Sequence, residues 1–305
     1  MSNGSTFPPH RRPRGTLLAA LAALVAVALA GWLIWRAQGG EPPRAGAPTA
    51  GGAPTGGADP AGGTPPPEKK GGNGGSGTEP PGSLRGKVVV LDPGHNPRNR
   101  EHGHEIARQV EIGNDRKECD TTGTATNDGY AEASFTLDVA RRARALLQER
   151  GATVVFTQDD DRPYGPCVDE RAAIGNTAHA DAAVSVHADG SAVGNRGFHV
   201  ILPERVRAGA ADTAAIVAPS RALGERLVSR FAAVTGSAPS NYLGGGTGLD
   251  PRSDLGGLNL SKVPKVFIEC GNMRDPKDAA QLTDAQWRQK AARGITEGIT
   301  DFLTR

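Results

Sequence analysis

A short apolar segment that ends in a tight turn, residues 88–95, constrains the fold more than any other stretch. Its VVVL run predicts a strand that is buried on both faces. Asp92, Pro93 and Gly94 end the strand, because proline cannot donate to a sheet ladder and glycine permits the turn. His95 follows directly. In open α/β sheets ligands bind beyond the carboxyl ends of the strands, so we expect His95 to lie where the chemistry takes place.

Strand-like and helix-like segments alternate from residue 85 to residue 305. We predict strands at 153–157, 182–186, 197–202 and 264–268, and helices at 132–150, at 168–179, from an N-cap at Ser220, and from a capping box of Thr283 and Gln286. This alternation is typical of a mostly parallel sheet with helices on both faces. The expected fold class is α/β, as a single three-layer domain whose length of about 220 residues is enough for one core.

The N-terminal part of the chain predicts a membrane segment. Residues 16–35 are twenty residues without a charge, and a helix of that length, about 30 Å, would cross a bilayer core. Three arginines within residues 1–15 place this basic tail in the cytoplasm and the rest of the chain outside. We therefore expect a single-pass signal anchor. A cleaved signal peptide, cut after the small residues at 28–30, is the alternative.

Residues 36–84 separate this segment from the domain. Between residues 37 and 84 there are 15 glycines and 10 prolines, and such a composition buries too little apolar surface to offset ordering, so we predict a disordered linker. Residues 1–84 carry 7 basic and 4 acidic side chains, which leaves 28 basic and 29 acidic ones in the domain. A nearly neutral domain lacks the positive footprint of a nucleic-acid binder, so we expect no nucleic-acid partner.

Chemically active side chains coincide with the predicted strand ends. His95, His187 and Glu269 each follow a buried strand, and Glu132 begins the first predicted helix. In a sheet of this kind these positions lie along one edge. Two imidazoles and one carboxylate form the usual three-ligand catalytic zinc site, and a second carboxylate can accept a proton from water.

Each of these residues also has an ordinary explanation. A single histidine at a strand end more often makes only structural contacts, and Glu132 could simply be favourable at a helix N-terminus. A glutamate that closes an apolar strand is harder to explain, because burying a lone carboxylate is costly. The coincidence of four such residues at matching positions favours a functional site.

Four motifs resemble a known family. LDPGH (91–95), Glu132 at the start of a long amphipathic helix, SVHAD (185–189) and VPKVFIECGNM (263–273) are similar to the zinc-dependent N-acetylmuramoyl-L-alanine amidases, as are Arg171 and Asn176. The resemblance covers residues 86–304. It implies a six-stranded α/β sheet flanked by helices.

The resemblance also implies the roles of the four residues. His95, Glu132 and His187 would bind one zinc ion (Zn2+), and Glu269 would be the catalytic base. The implied reaction is hydrolysis of the amide between N-acetylmuramic acid and L-alanine in peptidoglycan or muropeptides. The expected protein is a monomer on a bacterial cell membrane, with its catalytic domain at 85–305 outside, in the cell wall or periplasmic space.

Two other functions stay open. One is a non-catalytic or autoinhibited wall-binding or regulatory domain of the same fold, although all four residues of the predicted site are present. The other is a different zinc peptidase, which would act on the stem peptide and leave the lactyl amide intact. A cysteine–histidine hydrolase is a weaker alternative.

The chain has three cysteines. Cys119 and Cys167 both lie in loops near the carboxyl edge of the sheet, and export permits oxidation, so we predict a disulfide between them. Cys270 closes a buried strand and has no basic neighbour that would lower the pKa of its thiol. We therefore expect a core thiol at this position rather than a nucleophile.

Substrate contacts are less determined by the sequence. Arg252, Asn259 and Asn272 flank the strand that precedes Glu269 and could bind the sugar or the stem peptide, but ordinary loop roles fit them equally well. The loop at 96–131 is long enough to fold over the cleft. We predict that it partly covers the zinc and restrains activity.

Overall fold

The computed structural model describes residues 82–304. The predicted cytoplasmic tail, the membrane segment and nearly all of the linker lie outside the described residues. Within residues 82–304, no helix combines the length and the apolar character that crossing a bilayer requires. The elements are, in order, β1 (Val88–Pro93), α1 (Gly103–Ile106), β2 (Gln109–Glu111), β3 (Arg116–Glu118), α2 (Glu132–Glu149), β4 (Thr153–Phe156), α3 (Val168–Thr177), β5 (Ala182–Asp189), β6 (His199–Pro203), β7 (Arg207–Ala208), β8 (Ala211–Asp212), α4 (Val217–Thr235), β9 (Leu249–Arg252), α5 (Gly256–Asn259), β10 (Lys265–Asn272), α6 (Pro276–Thr283) and α7 (Ala285–Leu303).

Six of the strands form one sheet in the order β4–β1–β5–β10–β6–β9. Every neighbouring pair is parallel except β10 with β6, which confirms the expected mostly parallel α/β sheet. β5 and β10 are central and have eight residues each. Because β5 continues to Asp189, His187 lies inside this strand rather than after it.

The main core lies on one face of the sheet, beneath α2, α4 and α7. The ring of Phe231 on α4 lies 4.8 Å from that of Phe198 and 6.0 Å from that of Trp287 on α7. The two helices approach closely at Gly298, where a Cβ would lie 2.9 Å from the Cα of Leu227. Glycine is therefore needed there for the helices to pack.

The opposite face has a smaller core. Val90 and Ala183 cluster there with Ala180, whereas the strand neighbours Val89 and Val184 belong to the main core. This alternation shows that both faces are covered, as expected for a three-layer domain. α3 leads into this second cluster and packs against α5.

Two predicted helix starts are wrong. α4 begins at Val217, and the hydroxyl of Ser220, inside the helix, accepts a hydrogen bond from the Lys265 amide instead of capping it. α7 begins after Asp284, whose carboxylate accepts from the Trp287 amide. Thr283 cannot cap α7 because it is the last residue of α6, a helix that the sequence reading missed.

The long segment 96–131 has structure of its own. It contains α1 and the hairpin of β2 and β3, and the residue after β3 is tied to the start of α3 by a disulfide between Cys119 and Cys167. The predicted disulfide is therefore confirmed. Cys270 is buried and unpaired, and burial raises the pKa of its thiol well above the usual value, which agrees with a core thiol.

Candidate metal centre and active site

The turn after β1 presents His95 at the carboxyl edge of the sheet. His95 has a left-handed backbone conformation (φ 61°), and its carbonyl accepts hydrogen bonds from Arg171 Nη2 and Gln158 Nε2, both at 3.0 Å. A Cβ on Gly94 would lie 2.3 Å from the ring of His187. Glycine at 94 thus lets the turn pass beneath the second histidine, so that the two imidazoles approach each other.

Glu132 connects the two histidines. It is the first residue of α2 and is buried. Its Oε1 lies 2.9 Å from His187 Nδ1 and 3.2 Å from His95 Nε2, while its Oε2 accepts from the Thr124 amide. The histidine rings are 5.0 Å apart, edge to face, and His187 stacks on Phe267.

These three side chains form a group that is compatible with metal binding. One ligand atom from each of His95, Glu132 and His187 lies within 4.8 Å of the other two. Two imidazole nitrogens and one carboxylate oxygen are the donor set of many catalytic zinc sites, which keep a further position for water or substrate. The two histidines, predicted from separate strands, are close enough to share one ion.

Charge also favours a cation here. Burial lowers the pKa of His95, but the carboxylates of Glu132 and Asp120 outweigh it and raise that pKa to about 10. Burial raises the pKa of Glu132, yet His95 and His187 lower it well below its usual range. Without a metal, the site therefore holds an ion pair between Glu132 and the His95 imidazolium. A divalent ion would take the place of that proton.

Glu269 lies beside this group on β10. It is aligned with His187 on the parallel strand β5 and with His199 on the antiparallel strand β6. Among the described residues, its buried Oε2 has no hydrogen-bond partner. Burial, together with the nearby carboxylates of Glu132 and Asp189, raises the pKa of Glu269 well above its usual value. This is an unpaired carboxyl group poised next to a candidate metal centre.

Two pockets meet at the site. One, of about 460 Å³, contains Glu269 and Glu132, and the other, of about 380 Å³, extends between β3 and the start of α5. His95, His187 and Arg252 line both pockets. Arg252 donates two hydrogen bonds to Asp254, at 2.8 and 2.7 Å. The predicted substrate residue Arg252 therefore does lie at the cleft.

The other two predicted substrate residues do not line either pocket. Asn259 is fully buried, and its Nδ2 donates to Ile112 O, Ser253 O and Asn114 Oδ1. Its amide thus fixes the β2–β3 hairpin to the segment before α5. In this structure the side chain of Asn259 is used inside the protein, and its predicted substrate contact stays a prediction.

Asn272 is a similar case. It is fully buried at the end of β10, and its Nδ2 donates to the carbonyls of Ser191, Ala192 and Asn195. Its Oδ1 accepts from the Ser191 and Arg274 amides. Asn272 shapes the loop after β5, and its predicted substrate contact likewise stays a prediction.

A buried charge cluster, which was not predicted from the sequence, lies beneath the site. Asp92 accepts from Arg171 Nη1 at 2.8 Å and from Lys265 Nζ at 3.0 Å, and also from Ser185 and Thr157. Burial raises the pKa of Asp92, but Lys265 and Arg171 lower it far below its usual range. A lysine at the start of an apolar strand was the available signal, because a buried ammonium requires an acidic partner.

The fold and the site define an α/β protein with a candidate catalytic metal centre at the carboxyl edge of its sheet. Residues 89–301 match the family model of the N-acetylmuramoyl-L-alanine amidases. This match spans most of the chain, and the chain belongs to that family. The resemblance inferred from four short motifs is therefore confirmed.

Mycobacterial proteins are among the most similar relatives. The chain is 39% identical over 229 residues to N-acetylmuramoyl-L-alanine amidase Rv3717 of Mycobacterium tuberculosis, covering 75% of this chain and 91% of that protein. The crystal structure of the amidase Ami1 from Mycobacterium smegmatis superimposes with a TM-score of 0.66 at 42% identity, over 72% of this chain and 98% of that one. The apo form of Ami1 from Mycobacterium abscessus gives a TM-score of 0.65 at 38% identity, over 72% and 100%.

Proposed function

We propose that this chain is a zinc-dependent N-acetylmuramoyl-L-alanine amidase, which hydrolyses the amide between N-acetylmuramic acid and L-alanine in peptidoglycan. His95, Glu132 and His187 bind the ion, and Glu269 is the general base. The observation that carries this proposal is the group of three ligand atoms within 4.8 Å of one another, beside a carboxyl group whose buried Oε2 has no hydrogen-bond partner among the described residues.

The mechanism assigns separate tasks to the ion and to the chain. Held by His95, Glu132 and His187, a zinc ion would supply a Lewis acid for activating a water molecule and polarising the scissile carbonyl. Glu269 accepts the proton of that water and then passes it to the leaving amine, which must be protonated to depart. A nearby cation favours the ionised form of Glu269, so it counteracts the burial that raises the pKa of this residue.

The N-terminal segment adds a proposal about location. Residues 16–35 act as an uncleaved signal anchor, and residues 36–84 act as a flexible tether that holds the domain outside the cell membrane. The uncharged run of twenty residues and the arginines before it support this proposal. We also propose that the chain acts as a monomer, because one chain supplies all four residues of the site.

Replacement of Glu269 tests the reaction. We expect Glu269→Gln to lower turnover of purified sacculi and soluble muropeptides by roughly 10²- to 10⁴-fold, because the amide side chain cannot accept the proton. Zinc content, measured by atomic absorption, should remain near one ion per chain. Glu149→Gln, at an exposed position on α2, is the matched control and should retain full activity.

Mass spectrometry of the products distinguishes the competing functions. An amidase releases a stem peptide with a free L-alanine amino group and leaves the lactyl carboxylate on the sugar. A stem peptidase would release free amino acids and leave the lactyl amide intact, and a wall-binding domain would release nothing. Either of the last two results would refute the proposal.

A further inference from the structure

The Nδ1 atom of His95 points away from Glu132, towards the segment that follows β3. It lies 3.2 Å from Asp120 Oδ1 and 3.1 Å from the carbonyl oxygen of Thr121. A carbonyl oxygen can only accept a hydrogen bond, so Nδ1 carries the proton. Once a metal ion has displaced the proton on the other nitrogen, Nε2, that atom presents its lone pair on the side of Glu132. The ring is thereby held in one orientation, with Nδ1 as a donor.

Asp120 is itself held from three directions. Its Oδ2 accepts from Arg171 Nη2 at 2.9 Å, and both side chains are almost completely buried. Its amide donates to Ile106 O. The preceding residue, Cys119, is linked by the disulfide to Cys167 at the start of α3. The carboxylate therefore has little freedom to leave His95.

Asp120 is one of several hydrogen-bond acceptors of Arg171. Its guanidinium also donates to Asp92 Oδ1 and to the carbonyls of Pro93, His95 and Pro166. Among the described residues, Asp120 provides the carboxylate that contacts His95 Nδ1. The contact between Asp120 and the His95 imidazole is therefore not explained by the need of buried Arg171 for an acidic partner.

We propose that Asp120 is a positioning residue of the metal centre, which orients His95 so that Nε2 faces the ion and makes the imidazole a stronger ligand. Carboxylates behind metal-binding histidines have this effect, and their loss commonly costs 10- to 100-fold in metal affinity. The disulfide of Cys119 and the guanidinium of Arg171 hold Asp120 in place. This inference rests on the proposed zinc site.

The test measures metal binding by the full-length chain, purified in detergent, without any substrate. Zinc dissociation constants are obtained by competition with a chromophoric chelator. The visible absorption spectrum of the Co2+-loaded protein reports the ligand field. We expect Asp120→Asn to weaken zinc binding roughly 10- to 100-fold and to shift the Co2+ bands. The unfolding temperature of the metal-free protein serves as a check on folding.

Asp138→Asn is the matched control, because Asp138 is also paired with two arginines but lies away from the site, on α2. It should leave the zinc affinity and the Co2+ spectrum unchanged. Should Asp120→Asn fail to fold, the double variant Cys119→Ala/Cys167→Ala retains Asp120 but frees its segment. The double variant should show a smaller loss of affinity in the same direction.

Two results would overturn the inference. In the first, the unaltered chain binds zinc, and both Asp120→Asn and Cys119→Ala/Cys167→Ala bind it with the same affinity. Asp120 then has no positioning role, while the proposed zinc site stands. If the unaltered chain binds no zinc, the proposed metal centre fails together with this inference.

Discussion

Single residues in this site work as charged groups that are shielded from water. Asp92 lies at the end of β1, Ser185 on β5 and Lys265 at the start of β10, so one carboxylate connects three neighbouring strands. Buried charges are costly unless they are paired and hydrogen-bonded, and here each has several partners. The cluster fixes the three strands that deliver His95, His187 and Glu269.

Proton release upon zinc binding should follow from the charges at His95. The pKa of this side chain is raised to about 10 in the metal-free protein, so it carries a proton at pH 7 that zinc must displace. We expect at least one proton to be released per zinc bound, and zinc affinity to increase with pH up to about 10. Calorimetry in two buffers of different ionisation enthalpy measures the release, and a binding heat that is the same in both would contradict it.

The same shift determines how the stability of the metal-free protein depends on pH. The pKa of His95 is higher in the folded chain than the ordinary histidine value of 6.5. Its stabilising contribution is therefore fully present below about pH 6.5 and is lost as the pH rises through about 10. Denaturant unfolding of the metal-free chain at pH 7 and pH 10 should show lower stability at the higher pH.

At the scale of secondary-structure elements, the strands that carry the site were predictable and its supports were not. Buried apolar runs at β1, β5 and β10 have a clear pattern, and the ends of parallel strands meet at one edge, so His95, His187 and Glu269 could be placed together. Asp120 lies in a segment without the hydrophobic periodicity that predicts a strand or a helix. Its role depends on a contact with Arg171, 51 residues away in sequence, which no local pattern encodes.

The internal contacts of Asn259 and Asn272 have the same cause. Asn259 was predicted from its position near β10, but its Nδ2 donates to Ile112 O, 147 residues away. Most buried polar side chains are hydrogen-bonded within the protein, and such partners can lie far away in sequence. Arg252 differs because it remains partly exposed at the junction of two pockets, and its substrate contact stays a prediction.

The β2–β3 hairpin allows a direct test of the predicted restraint on activity. Deleting residues 100–126 would also remove Asp120 and Thr124, which contact the metal-site residues. A better variant replaces residues 109–118 with Asn-Gly, because the amide of Cys119 already donates to Arg108 O at 2.7 Å and a two-residue turn can close this pair. If the hairpin restrains access to the cleft, turnover of sacculi should increase.

A single substitution tests the same restraint without shortening the chain. Asn259→Asp keeps the whole hairpin but removes the Nδ2 donor that fixes Ile112 and Asn114. It should change turnover in the same direction as the excision. Unchanged or reduced turnover in both variants would show that the hairpin does not restrain the enzyme.

The disulfide should contribute measurably to stability. It closes a loop with a sequence separation of 48 residues, and linkages of this kind contribute about 2–4 kcal/mol. We expect Cys119→Ala/Cys167→Ala to lower the Tm by roughly 5–15 °C in differential scanning calorimetry. Reduced wild-type protein should melt with the variant, and reductant should not affect the variant further. Equal melting of oxidised wild type and variant would contradict the expectation.

At the scale of the whole molecule, the proposed function assigns chemistry and location to separate parts of the chain. All four proposed site residues, their supporting cluster and the disulfide lie within residues 82–304, and residues 89–301 match the family. The domain contains similar numbers of acidic and basic residues, so charge does not direct it to the wall. In the proposed arrangement, the distance of the domain from the membrane depends on residues 36–84.

The proposed anchor predicts a separation between location and activity. The full-length chain should sediment with membranes, whereas Leu24→Arg, which places a charge in the middle of the apolar segment, should weaken insertion, because a central arginine costs about 2.5–3.5 kcal/mol. A chain that starts at residue 37 behind a cleavable signal should appear in the medium. It should hydrolyse soluble muropeptides at the rate of the full-length chain, because the site lies outside the deleted part.

N-terminal sequencing of the mature protein decides between an uncleaved signal anchor and a cleaved signal peptide. A mature chain that begins just after residue 30 would refute the anchor and leave the amidase proposal intact.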